Sequence, residues 1–338
     1  MSTQYEASSS NDNNFPIVTL NDGQGRAVKI APNAGFNAFS FVSLHNGEPY
    51  ELFVGPKSDD VLRGGGVGFG CPILFPFPNR TRNGQYRFGG QTYQLDTNWK
   101  DGNAIHGLIH DCAWNLIASG ASNEQGAWAT AAIRTGEHPD IMRQYPFDCE
   151  LRVTYALREG ALHLHAETIN VGEKPLPMGF GIHPWFHAPL TPQGKRSECV
   201  LTLPAKGRWK LESEEQLIPT GEILPLSGAY DFSNGQALND TFLDDVFTQL
   251  MYTSGDPGEH VTTFRDDLSH MQIEVRASGN FREHVVYAPL DQGVVCLEPY
   301  TMTTDFVNLS ERGVDAGLIV LEPSQKWNGT ISMSCSDI

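Results

Sequence analysis

Two stretches of this chain carry side chains able to move protons, in settings that would sharpen that ability. In VVCLEPYT (294–301), Glu298 follows four apolar residues. A carboxylate at the end of a buried strand is costly unless it has a partner or a task. Desolvation also raises its pKa towards the range of a useful general base. In GFGIHPWFHAPL (179–190), His183 stands among Phe180, Trp185 and Phe186. Imidazole exchanges protons near neutral pH, and aromatic faces beside it suit the apolar faces of a ring-shaped polyol. His187 begins a loop-like stretch and is a weaker candidate, and Glu322 in VLEP is a decoy for Glu298.

Other residues could hold a polyhydroxyl ligand in place. Asn79 and Arg80 follow the run FPFP, whose prolines argue for a strand end or edge rather than a central strand. A guanidinium fork there can donate to several oxygens, while nearby Arg82 reads as a surface residue. His106 precedes Gly107, which would permit close backbone approach. LNDTFLDDVFTQL (238–250) offers Asp240, Asp244 and Asp245, any of which could bind two vicinal hydroxyls.

Several tempting features are better read as structure. The glycine run RGGGVGFG (63–70) lacks the lysine of a phosphate loop and no helical pattern follows it, so it reads as a tight loop. His163, His165 and Glu167 fall on one face of a strand, the usual place for a solvated polar row. A metal-dependent enzyme built on them would need further ligands that the sequence does not announce, and no metal site is expected. The six cysteines are scattered without a C-x-x-C pair and read as buried thiols of a reducing, cytoplasmic protein. With 23 Lys and Arg against 40 Asp and Glu, the net charge is −17, which disfavours nucleic acid and anionic membranes as partners. No stretch has the length of a membrane-spanning helix, and the first residues lack the basic and apolar regions of a secretory signal.

The elements that must position these groups read as strand after strand. CELRVTYAL (149–157) alternates strictly, turns at Arg158, Glu159 and Gly160, and ALHLHAETI alternates again, a hairpin pattern. QYRFGGQTYQL (85–95) forms another around Gly89-Gly90. The 34 glycines and 21 prolines punctuate a sheet protein, and no amphipathic pattern of helical length appears. No linker divides the chain. The expectation is a polar disordered tail over residues 1–14 and one domain over 15–338, all-β, a large antiparallel β-sandwich.

NRTRNGQYRFGGQTYQL, AIHGLIHDCAW, GFGIHPWF, LDDVF and VVCLEPYT lie in this order across most of the chain and resemble the aldose 1-epimerase (galactose mutarotase-like) family. The resemblance implies a galactose mutarotase-like β-sandwich that interconverts sugar anomers by acid/base ring opening and closure. It implies Glu298 as general base and His183 as general acid. It implies Arg80, His106, Asp244, Asn79 and Trp185 as substrate-binding residues, and no cofactor. The galactose-specific branch carries His-x-Tyr-Phe where this chain has His183-Pro184-Trp185-Phe186, so galactose itself is not implied. The alternatives are a hexose-6-phosphate 1-epimerase, with Arg82 and Arg143 as candidate phosphate ligands, and a non-catalytic carbohydrate-binding domain. The expected partner is a small sugar, and the expected assembly a monomer or homodimer.

Overall fold

The computed structural model describes residues 4–213, 215–253 and 258–338, so residues 1–3 of the expected tail lie outside the described residues. Antiparallel sheets dominate. The largest runs Asn115–Ser122, Gly126–Arg134, Cys149–Arg158, Ala161–Asn170, Lys326–Asp337, Met271–Ser278, Glu259–Asp266, Cys199–Thr202 and Gln236–Ala237. A second runs Pro219–Pro225, Gly207–Leu211, Leu243–Thr248, Glu283–Ala288, Val294–Tyr300, Gly181–Ile182 and Ile73–Leu74, with Trp185–His187 also paired to Val294–Tyr300. One continuous core joins Tyr155, Leu164, Phe264 and Ile273 of the first sheet to Phe247, Val286, Val295 and Leu297 of the second. This is the large antiparallel β fold that the alternating pattern predicts. The α-helices among the described residues, Asp59–Gly64, Pro139–Gln144 and Phe306–Glu311, have six residues each. None of the described helices is long and apolar enough to cross a membrane.

Local sequence explains the hairpins. Cys149–Arg158 pairs with Ala161–Asn170 along its whole length, and Cys149, Leu151, Val153, Tyr155 and Leu157 are fully buried. Glu159 and Gly160 both have positive φ, as the two-residue turn that matches strand twist requires. Gly89 and Gly90 do the same between Gln85–Phe88 and Gln91–Gln94.

The N-terminus corrects the expectation of a disordered tail. Glu6–Asp12 is a strand paired residue for residue with Phe15–Asn21, at the edge of a five-stranded sheet. Asn13 and Asn14 take φ of 51° and 59° and form the turn. Asparagine tolerates that region, so Asn-Asn between strands is a hairpin signal. The strand is almost wholly exposed, so it needs no apolar side chains, and composition alone disguised it. Its partner is anchored by Val18 and Leu20, both fully buried.

In the second sheet the two-residue period of the strands divides its labour. Leu243, Phe247, Val286 and Leu297 face the core. The cross-strand pairs Asp244↔Tyr287, Val285↔Glu298 and Tyr287↔Cys296 therefore stand together on the opposite face. The chemistry-bearing residues collect there.

The amide hydrogens of Glu6–Asp12 should exchange with solvent more slowly than those of loose chain, because the strand is hydrogen-bonded to its neighbour. Exchange at the free-peptide rate across this segment would contradict the hairpin.

Candidate active site

Glu298 sits mid-strand in Val294–Tyr300 with about 1% of its surface exposed. The hydroxyl of Tyr300, two residues on and so on the same face, donates to its Oε2. His183 Nε2 lies 3.4 Å from the other oxygen, Oε1. His183 is held at its backbone and at its ring. Its backbone N–H donates to Pro72 O at 3.0 Å, and its ring stacks on Trp185 at 5.0 Å between centroids with 8° between planes. Trp185 is in turn pinned by its indole N–H, which donates to Val67 O at 2.6 Å, so the glycine-rich loop is a wall of the site.

Burial sets the electrostatics of this pair. It pushes the Glu298 carboxyl well above the usual carboxylate range, with the Tyr300 hydrogen bond and Arg80 pulling down and Asp244 adding to the rise. It pushes His183 down to about 3. Burial thus favours the uncharged form of both groups, a protonated Glu298 beside a neutral His183, so the pair holds one proton between two groups.

A second group is built on short, unusual backbone. Arg80–Thr81 pairs antiparallel with Ala104–Ile105, bringing Arg80 opposite Ile105 and next to His106. Asn79 and His106 both have positive φ, 60° and 66°, and His106 N donates to Asn79 O at 3.0 Å. Gly107 must be glycine, because a Cβ there would lie 2.2 Å from Phe75 O. The Arg80 guanidinium is held by Asp101 Oδ2 at 2.9 Å and by Asn79 Oδ1 at 3.2 Å. The His106 ring packs edge-on against His183 at 5.2 Å, and burial first, then the neighbouring His183 and Arg80, hold its pKa well below the usual histidine value.

Asp244 completes the ring of polar groups. Its Oδ2 lies 3.9 Å from Arg80 Nη2, and burial pushes its pKa up to about 6 against the pull of Arg80. The neighbouring Asp245 points to the other face of the strand, where Arg208 Nη1 donates to it at 2.9 Å. The alternation thus separates two acids that the sequence could not.

Asn79, Arg80, His106, His183, Trp185, Asp244 and Glu298 all line one cleft of about 850 Å³. Other expected neighbours go elsewhere. Phe180 packs against Phe281 and Trp327, and Phe186 against Phe53, all in the core rather than on the cleft. Arg82 is bound to Glu212 at 2.7 Å, and Arg143 is paired with Asp96; neither lines the cleft. His165 is exposed on its strand, and His163 and Glu167 are half-buried. Tyr300 went unnoticed in the sequence, although its i+2 spacing from Glu298 was a usable signal. Asp101 carried none, since its hold on Arg80 is a contact across 21 residues. Among the described residues, His183, Cys296 and Glu298 form the group whose ligand atoms lie close enough for a metal, all within 4.8 Å. An ion there would occupy both members of the proton-holding pair.

A family model described as Aldose 1-epimerase matches residues 16–334. The Escherichia coli K12 protein described as "Uncharacterized protein YihR" is 30% identical over 190 residues, 56% of this chain and 54% of that protein. The galactose mutarotase of Pongo abelii is 26% identical over 159 residues, 45% of this chain and 42% of that protein. The chain thus matches about half the length of these curated relatives. A galactose mutarotase-like protein from Clostridium acetobutylicum superposes with a TM-score of 0.86 at 20% identity, covering 99% of both chains. The galactose 1-epimerase of Lactobacillus acidophilus NCFM superposes with a TM-score of 0.74 at 19% identity, again over 99% of both. At such identities the superpositions speak for a shared fold.

The raised pKa of Glu298 has a consequence for stability. The unfolded chain releases this proton near 4.5, while the folded chain keeps it to higher pH. Folding stability from this group is therefore complete below that value and is lost as pH rises through the folded-state pKa. Glu298→Gln resembles the protonated carboxyl and does not titrate. Thermal melts from pH 5 to 9 should show the variant gaining on the wild type as pH rises. A variant that loses ground with rising pH would contradict the assignment.

Proposed function

The chain belongs to the aldose 1-epimerase family, and on that premise we propose that it interconverts the α and β anomers of a free aldose. The observation that carries this reading is the buried His183–Glu298 pair, 3.4 Å apart, at the floor of a cleft lined with hydroxyl-binding groups. Mutarotation needs one proton removed from the anomeric hydroxyl and one delivered to the ring oxygen, two atoms bonded to the same carbon. A pair that holds a single proton between adjacent groups meets that requirement without net charge entering or leaving.

In this mechanism the sugar's hemiacetal lies across the pair. Glu298, as carboxylate, takes the proton from the C1 hydroxyl as the C1–ring oxygen bond breaks. His183, as imidazolium, gives its proton to the ring oxygen. The open-chain aldehyde rotates about C1–C2 and closes on its other face with both transfers reversed. Burial disfavours the charged form of the pair, so bound substrate has to support it. Arg80 and the polar groups around it supply that support beside Glu298 and orient the neighbouring hydroxyls. Tyr300 positions the carboxylate by holding Oε2 and leaves Oε1 for the substrate. Asp244, with its carboxylate beside Arg80, accepts from hydroxyls on the far side of the ring.

A sugar phosphate is the less favoured substrate. Arg82 and Arg143, the basic residues that could have held a phosphate, are committed to carboxylates outside the cleft. The cleft's own cations are Arg80, already bound by Asp101, and Lys100.

Polarimetry or exchange NMR on glucose and galactose, with and without a 6-phosphate, tests the reading. Wild-type protein should accelerate anomer exchange of a free sugar. Glu298→Gln and His183→Asn should each lower kcat by about 10²–10⁴-fold, the usual contribution of a positioned acid or base. Arg82→Ala and Arg143→Ala should leave it unaltered. Full activity in Glu298→Gln, or faster exchange of the phosphates that vanishes in Arg82→Ala, would refute it.

A further inference from the structure

The reaction proposed above leaves one reactive side chain beside the floor of the cleft without a task. Cys296 lies two residues before Glu298 on Val294–Tyr300, so its side chain stands on the same face of the strand. It is paired across the sheet with Tyr287 on one side and Trp185 on the other, and both of these line the cleft. A wholly buried thiol is usually inert packing. This one differs in its company, since its sulfur, a ring nitrogen of His183 and a carboxylate oxygen of Glu298 all lie within 4.8 Å of one another.

The three donor types meeting there select a class of ligand. Thiolate, imidazole and carboxylate together suit zinc and its soft relatives, whereas magnesium and calcium take oxygens. Bonds of about 2.0–2.3 Å in a tetrahedron set the ligand atoms about 3.3–3.6 Å apart. The 3.4 Å between His183 Nε2 and Glu298 Oε1 already spans one such edge. A shift of about 1 Å brings the thiol into the same range. Glu298 is oriented for the task, because the Tyr300 hydroxyl holds Oε2 and leaves Oε1. Charge makes the same selection. The ligands bind deprotonated, so an entering ion displaces one proton from Glu298 and one from Cys296, while His183 binds as neutral imidazole. A divalent cation with one carboxylate and one thiolate carries no net charge, which a buried site tolerates where a bare cation would be costly. Acids also outnumber bases around the cleft, with Asp101, Glu215, Asp244 and Asp291 against Arg80 and Lys100, and that excess attracts a cation.

We propose that His183, Cys296 and Glu298 form a binding site for a thiophilic divalent cation of the zinc class, and that its occupancy switches anomer exchange off. The ion takes the imidazole nitrogen and the carboxylate oxygen that the sugar's protons require, so ion and sugar exclude each other. Nothing is oxidised or reduced, and the displaced protons leave to solvent. The switching rests on the anomerase reading above, while the binding stands on the three side chains themselves.

Two measurements on the purified protein test it. With cobalt(II) in place of zinc, the wild type should show the near-ultraviolet absorption of a cobalt–thiolate bond, and Cys296→Ala should lack it. In exchange NMR, zinc should slow the anomer exchange of glucose or galactose in competition with the sugar, a chelator should restore it, and magnesium or calcium should leave it unaltered. Cys296→Ala should keep the exchange and need about 100-fold more zinc for the same inhibition, since even losing a group that only orients a ligand costs roughly 10–100-fold. A cobalt–thiolate band that survives in Cys296→Ala, or equal inhibition of variant and wild type, refutes the site. Sugar exchange that zinc leaves untouched refutes it while the anomerase reading stands. If no sugar exchanges, yet the band appears and depends on Cys296, the site stands and the anomerase reading falls. Circular dichroism checks that Cys296→Ala folds, and the near-isosteric Cys296→Ser gives a second reading of the zinc ratio.

Discussion

The structure turns on one buried carboxyl. Glu298 is held in the middle of a sheet strand, almost without solvent, with a tyrosine hydroxyl on one oxygen and an imidazole facing the other. Removing a carboxyl from water is costly, and an ionised one more so. The fold meets that cost by letting the carboxyl keep its proton and by leaving His183 neutral beside it. The consequence is a pair of groups close enough in position and opposite enough in pKa shift to trade one proton. The stacking of His183 on Trp185, and the hydrogen bond that Trp185's indole N–H donates to Val67 O, keep that geometry from relaxing.

Around the pair, backbone conformation does what side-chain packing cannot. Asn79 and His106 occupy left-handed backbone that non-glycine residues seldom adopt, and they are bridged by a backbone hydrogen bond. Such conformations persist only where surroundings over-determine them, and they gather at functional sites. Here they turn Arg80 and His106 towards the same cleft, while Gly107 lets the following chain pass against Phe75. The guanidinium then finds its place between Asn79, Asp101 and Asp244.

The sequence disclosed what depends on pattern and hid what depends on register or loop shape. Strict alternation revealed the strands and the hairpin at Glu159-Gly160, and an acid after four apolar residues revealed Glu298. Alternation also carried the answer to Asp244 against Asp245, but only once the strand's buried face was known, since a one-residue shift exchanges the two faces. The hairpin at Asn13-Asn14 was missed because its outer strand faces solvent and looks like polar tail. Asp101 was invisible because its hold on Arg80 comes from a loop 21 residues further along the chain. The aromatic cluster around His183 divided in two: Trp185 turned to the cleft, and Phe180 and Phe186 to the core.

The central claim is that the working site is a buried pair carrying one proton, and the pH dependence of kcat/KM for anomer exchange measures it most directly. After subtraction of the uncatalysed rate, the profile should show no loss as pH rises through the range where an ordinary histidine titrates, because His183 is already neutral there, and protonation of Asp244, held up to about 6, weakens binding only on the acid side. On the alkaline side it should fall as Glu298 loses the proton that burial has retained. A half-loss of activity as pH rises through about 6.5, the mark of an unperturbed imidazole acting as the acid, would contradict the account.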